Sequence, residues 1–120
     1  LTRQREVVDA FLAAARGGNF EALLAVLDPD IVLRADRGPD ALREIRGAWA
    51  VAEQAATFSR LAESVQPVLV NGAAGIVSWL PGGQPFSVMG FTVRLGKIVE
   101  IDVLADPARL RQLDLTILED

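Results

Sequence analysis

The stretch Arg94-Leu95-Gly96-Lys97-Ile98-Val99-Glu100-Ile101-Asp102-Val103-Leu104-Ala105-Asp106-Pro107-Ala108-Arg109-Leu110 decides the fold. Gly96 suits a turn that demands a positive φ, and Lys97 to Val103 alternates around β-branched residues. Asp106 is placed to cap a helix, and Pro107 fits its first position, where a missing N–H costs nothing. The stretch therefore predicts the last hairpin of a curved sheet, followed by a strand that passes directly into a helix. Two loop lengths are available to the hairpin. A three-residue loop with a bulge at Gly96 puts Met89, Phe91, Val93, Val99, Ile101 and Val103 on one face, whereas a two-residue loop mixes Glu100 and Asp102 with Phe91 and Met89. The bulged register is the expected one.

Upstream, Val7, Val8, Phe11, Leu12 and Ala15 share a helical face that Gly17-Gly18 brings to an end. Asn19 caps a second helix carrying Leu23, Leu24 and Leu27, which Asp28-Pro29 terminates. Ile31 to Asp36 alternates as a strand, with Ile31, Leu33 and Ala35 opposite Val32, Arg34 and Asp36. Arg37 to Gly47 is loop-like with an extended piece at Leu42 to Ile45, and Ala48 to Ala62 returns to helical spacing. That helix buries Val51, Ala52, Ala55, Phe58 and Leu61. Val65 to Val70, Gly75 to Leu80 and Phe86 to Val93 are strands separated by Asn71-Gly72 and Pro81-Gly82-Gly83. Pro67 places the first of these at an edge or delays its start. Helix, helix, strand, helix and a four-strand antiparallel meander make one α+β domain over residues 1–120. Its architecture is a cone-shaped roll, with the curved antiparallel sheet wrapping helices around a pocket.

Composition excludes several functions. The chain has no Cys, His or Tyr, which removes disulfides, zinc–sulfur sites and the usual general base, and no metal or cofactor is implied. A net charge of −4 with scattered arginines leaves no phosphate-tracking stripe, so the domain is not expected to hold nucleic acid itself. No apolar run approaches the ~20 residues a membrane span needs. The opening residues Leu1 to Glu6 predict helix rather than a secretory leader, and the cytoplasm is the default compartment. Asn71-Gly72-Ala73-Ala74-Gly75 is a hairpin turn rather than a phosphate loop, because no helix follows it.

The element order and Gly96-Lys97-Ile98-Val99-Glu100 resemble the nuclear transport factor 2-like superfamily, SnoaL-like branch. A narrower resemblance runs through Val8-Asp9-Ala10-Phe11-Leu12-Ala13-Ala14-Ala15-Arg16-Gly17-Gly18-Asn19-Phe20-Glu21-Ala22-Leu23-Leu24 and Leu27-Asp28-Pro29-Asp30-Ile31-Val32-Leu33-Arg34-Ala35-Asp36. With Val70 to Gly75 and Asp102 to Leu110, these segments are similar to the C-terminal extension of certain extracytoplasmic-function sigma factors. In that group a SnoaL-like domain follows the DNA- and polymerase-binding regions and modulates them. The resemblance implies regulation of transcription initiation through contacts with those regions and RNA polymerase, tuned by a small apolar ligand. The group often carries an Asp-Gly-Gly-Gly-Lys loop after the first strand, where this chain has Asp36-Arg37-Gly38-Pro39-Asp40. Its closing Asn-Pro-Asp-Lys-Leu motif is matched by Asp106-Pro107-Ala108-Arg109-Leu110, which keeps cap, proline, cation and leucine. The interaction residues so implied are Arg37, Gly38, Asp106, Pro107, Arg109 and Leu110.

The alternative is a stand-alone SnoaL-like isomerase or cyclase acting on a small hydrophobic carbonyl compound. Asp36 or Asp102 would then move the proton, helped only by backbone amides, Arg34, Ser78 or Thr92. The competing reading of Asp102 and Glu100 is a solvent face or a homodimer face. Arg34, Asp36, Trp49, Trp79, Met89 and Phe91 are the candidate pocket residues, although aromatics at such positions also serve simply as core. The last helix, with Arg109, Leu110, Arg111 and Leu113, is expected either to fold back on the domain or to present arginines to a partner's carboxylates.

Overall fold

The computed structural model describes residues 2–36, 38, 42–61, 64–70, 73–79, 85–110 and 115–117. Helix α1 (Thr2–Arg16) and helix α2 (Phe20–Val26) open the chain. The Asn19 side chain accepts a hydrogen bond from the Ala22 amide at 3.1 Å, the N-cap its position predicts. Val8, Phe11, Leu12 and Ala15 are buried, so the apolar face of α1 is the expected one. Strand β1 (Leu27–Asp36) begins before Asp28-Pro29 instead of after it. A bulge between Leu27 and Val32 takes up the proline, and the Asp28 carboxylate accepts from the Asp30 amide.

Strand β2 (Leu42–Arg46) and helix α3 (Ala48–Leu61) follow, with Val51, Ala52 and Ala55 buried. The side chains of Phe58 and Leu61 lie outside the described residues. The meander is β3 (Ser64–Val70), β4 (Ala73–Trp79), β5 (Pro85–Arg94) and β6 (Lys97–Leu104). The turns at Asn71-Gly72 and Pro81-Gly82-Gly83 lie outside the described residues. Two short elements close the chain, α4 (Pro107–Leu110) and β7 (Leu115–Ile117).

All strands join one sheet in the order β2-β1-β6-β5-β4-β3-β7. The sheet is curved and mostly antiparallel, but the β1–β6 pair is parallel. Pro67 sits opposite Ile76, on the part of β3 that β7 does not reach, since β7 pairs only with Val68 to Val70. That satisfies the edge requirement of a residue with no amide hydrogen. Gly75 permits close approach of β4 to its neighbour, because a Cβ there would lie 2.6 Å from the Met89 carbonyl oxygen.

The last hairpin differs from its expected register in an instructive way. Arg94 pairs with Lys97 across a two-residue turn in which Leu95 and Gly96 both have positive φ, +52° and +77°. This is the type I′ pattern, whose twist suits a hairpin. The bulge lies instead between Thr92 and Val93, leaving Val99 as the extra residue. Ile98 therefore takes the place expected for Val99 opposite Val93, while Phe91–Ile101 and Met89–Val103 pair as anticipated. The bulge restores the parity that a two-residue turn alone would have lost.

The helices lie on the concave face, α1 against β4 and β5 and α3 against β1 and β2. Val8, Phe11, Leu23, Ile31, Val51, Ile76, Ile98 and Ile101 make up much of that core. On the opposite face Val68, Val77, Val88 and Leu110 form a second, smaller cluster with Val70, Trp79 and Leu104. Of the amphipathic terminal helix expected from Leu110 and Leu113, the described part is the turn Pro107–Leu110, and Leu110 is buried beneath it. The chain then adds β7 to the sheet, so this end is part of the roll.

Candidate functional site

A cavity of about 70 Å³ opens between the concave face and the helices. Its walls include Phe11, Leu12 and Ala15 of α1, Leu33 and Ala35 of β1, Ile76 of β4, Met89 of β5 and Val103 of β6. Arg43, Ile45, Gln54 and Ala105 also line it, and Arg43 is exposed. Strand alternation explains this membership. Ile76 and Ser78 face inward along β4 as Ser87 and Met89 do along β5, while Val77 and Val88 join the opposite cluster.

Ser78 and Ser87 are the distinctive polar groups of the cavity. They are register partners across β4 and β5, and are 1% and 0% exposed. Neither hydroxyl has a hydrogen-bond partner. Buried hydroxyls are normally paired, so two unpaired ones side by side in an apolar cavity require a reason.

The carboxylates singled out from the sequence lie elsewhere. Arg34 and Asp102 are register partners on the outer face of β1 and β6. There Arg34 pairs with Glu100 and, at 3.5 Å, with Glu44, which also holds Arg46 at 2.7 Å. Partial desolvation pushes the Asp102 carboxyl above its usual range. The Glu100 charge and a hydrogen bond with Glu100 act in the same direction, while Arg34 opposes them. Asp36 is not in the cavity wall either, and its carboxylate accepts from the Gly38 amide at 3.0 Å.

Among the six candidate pocket residues, Met89 lines the cavity, and Arg34, Asp36, Trp49, Trp79 and Phe91 do not. Phe91 stands behind the wall, edge-on to Phe11 with ring centroids 5.3 Å apart. Trp49 is 62% exposed and packs edge-on against Phe20. Trp79 belongs to the outer cluster, where its indole N–H donates to Gln66 at 3.0 Å. These differences share one cause: the inward parity of the strands selects small and aliphatic residues for the wall and turns the charged and indole side chains of Arg34, Asp36 and Trp79 away from it. Ile76-Val77-Ser78 and Ser87-Val88-Met89 carry the alternation that would have found the serine pair.

Of the residues implied in partner contacts, Gly38 and Asp106 come together. A Cβ at Gly38 would lie 3.9 Å from the Asp106 carboxyl carbon. Asp106 also accepts from the Ala108 amide at 3.2 Å, which caps α4. Leu110 is buried rather than presented to a partner. Arg37, and the side chains of Pro107 and Arg109, lie outside the described residues, as do Arg111 and Leu113. Among the described residues no cluster of His, Cys, Asp and Glu could hold a metal, and no helix is long and apolar enough to cross a membrane.

The comparisons with known proteins agree with this geometry. The sequence matches the family model of the SnoaL-like domain over residues 8–101. The structure is similar to the extracytoplasmic function sigma factor SigJ of Mycobacterium tuberculosis, with 27% identity and a TM-score of 0.74. That match covers 90% of this chain but 44% of SigJ. An NTF-2 like protein of Burkholderia xenovorans LB400 matches with 19% identity and a TM-score of 0.65, covering 88% of this chain and 85% of the other. A de novo designed protein with a curved β-sheet matches with 20% identity and a TM-score of 0.67, covering 92% and 91% of the two chains. The search of curated proteins found no match. The family match spans most of the length, so the chain belongs to the SnoaL-like family, with a nuclear transport factor 2-like fold.

Proposed function

We propose that this chain is the regulatory SnoaL-like domain of an extracytoplasmic-function sigma factor, working in the cytoplasm on the sigma regions and RNA polymerase. The observation that carries the reading is the match to SigJ, which extends over nearly all of this chain and less than half of SigJ. A domain used within a longer protein is related to its partner in that way. The cavity supports a binding role over a catalytic one, because the described residues that line it include no carboxylate. Asp36 and Asp102, the bases an isomerase or cyclase would need, are not in its wall. In this role the acidic domain modulates initiation through protein contacts, with a small ligand in the cavity biasing them, and leaves DNA to the other regions.

The test starts with the reading frame that encodes residues 1–120. Sigma regions encoded upstream of Leu1 are expected. In vitro transcription with core RNA polymerase then compares the full protein with one lacking this domain, and a change in initiation at a cognate promoter is expected. A reading frame without sigma regions, or transcription unchanged by removal of the domain, overturns the proposal.

A further inference from the structure

We infer that Ser78 and Ser87 form a two-hydroxyl clamp for a neutral ligand oxygen, so that the cavity takes a small apolar molecule bearing a carbonyl or hydroxyl group. The inference deepens the ligand half of the reading above and rests on it only for biological purpose. It stands on two independent observations. The side chains are fully buried neighbours across β4 and β5, and both hydroxyls lack a partner. Both also line the same cavity, whose adjoining walls are Phe11, Leu12, Ile76 and Met89.

The chemistry of the clamp limits its occupant. Each hydroxyl offers one donor and two acceptor sites, and its proton rotates to suit the partner. A carbonyl oxygen can accept from both serines, and an alcohol can donate to one while accepting from the other. The two serines are neutral and give a charged oxygen no counter-charge, and Arg43, the cation among the described lining residues, is exposed, so a neutral oxygen is the better match to the pair. The skeleton must be hydrocarbon to match the walls and small to match a partly open cavity of about 70 Å³. Both hydroxyls are closed to water as the side chains stand, so an occupant reaches them through rotation of the serine side chains, and the decisive property is discrimination among ligands of one shape.

The test measures binding to the 120-residue chain by ligand-observed NMR titration with 2-pentanone, 2-pentanol and 2-chloropentane. The three are similar in size, but the chloride is a poor hydrogen-bond partner. The ketone and the alcohol are expected to bind about tenfold more tightly than the chloride, the scale of one or two net hydrogen bonds. In Ser78→Ala/Ser87→Ala that preference should fall to about one, through weaker ketone and alcohol binding with chloride binding retained. Ser78→Ala and Ser87→Ala alone should each lose part of it, with the fold checked by circular dichroism. Equal affinities in the unchanged chain overturn the clamp, as does a preference that survives in the double variant. Failure of the ketone and alcohol to bind at millimolar concentration also overturns it. No transcription enters this measurement, so its failure removes the ligand class and leaves the regulatory reading to its own test.

Discussion

Two polar groupings sit on opposite faces of one sheet and obey opposite rules. On the outer face Arg34, Glu44, Arg46 and Glu100 are partly to mostly exposed, at 34–70% of their side chains, and are linked by ion pairs. On the inner face Ser78 and Ser87 are buried and unpaired. Water screens the first grouping, so its many ion pairs contribute little to folding. Nothing screens the second, so two uncharged hydroxyls weigh more than four charged side chains. The lesson is that in this fold the informative polar residue is the one whose needs the fold leaves unmet, and chemical reactivity alone was a poor guide to it.

The comparison breaks most easily at the residue next to the clamp. Ile76 is buried, lines the cavity and belongs to the main core. Ile76→Ala should lower unfolding free energy by about 2–5 kcal/mol, combining lost burial with an enlarged void. Urea denaturation measures it. A loss under ~1 kcal/mol would mean that the cavity wall collapses to fill the space, and the inner face would then be less rigid than the argument requires.

The next effect has the opposite sign. An unpaired buried hydroxyl costs roughly 1–3 kcal/mol, and replacing it by a methyl-sized group removes that cost. Ser78→Ala/Ser87→Ala should therefore be at least as stable as the unchanged chain, with a gain of about 1 kcal/mol in the same denaturation experiment. A loss of stability would show that the hydroxyls already have partners in solution. Stability would then explain the serines without a ligand.

The helices and the core were legible because they depend on local chemistry. Asn19 caps α2, and Val8, Phe11, Leu12 and Ala15 face inward, both set by helical spacing and short-range hydrogen bonding. Ile31, Leu33 and Ala35 declared their face by alternation alone. What was hidden depends on distant partners. A Leu-Thr-Ile run at 115–117 becomes a strand only because β3 offers it an edge, and helical spacing of Leu110 and Leu113 concealed this. The bulge at Val99 needed a choice between two hairpin turns that differ by one residue. The cavity wall was misassigned for a related reason, since Trp49 and Trp79 are individually plausible and only their strand and helix partners put them outside it.

The outer face should respond weakly. Arg34 bridges Glu44 and Glu100 while remaining about half exposed, at 51% for its side chain. Arg34→Ala should cost less than about 1 kcal/mol, and the cost should shrink as salt is added. Thermal denaturation across a salt series checks this. A larger, salt-independent loss would make the outer cluster a structural element comparable to the core and would erase the contrast between the faces.

The smallest effect sharpens the contrast through its pH dependence. The Asp102 carboxyl titrates above its ordinary value, chiefly through desolvation and then through Glu100, with Arg34 pulling the other way. The folded chain thus holds this proton more tightly than the unfolded one. Its contribution to stability is complete below the unfolded value near 3.8 and is lost as pH rises through the raised folded value. At neutral pH the ionised group is therefore a slight burden on the fold. Asp102→Asn relieves that burden, so it should stabilise the chain at pH 7 by at most about 0.5 kcal/mol, given the exposure of the site. The gain should shrink toward zero as pH falls below 3.8, where the aspartic acid is neutral as well. Paired thermal melts of the two proteins between acid and neutral pH give the curve. A substitution that destabilises at pH 7 would show Arg34 outweighing burial and Glu100 together, and Asp102 would then be a partnered member of the outer network rather than its one surplus charge.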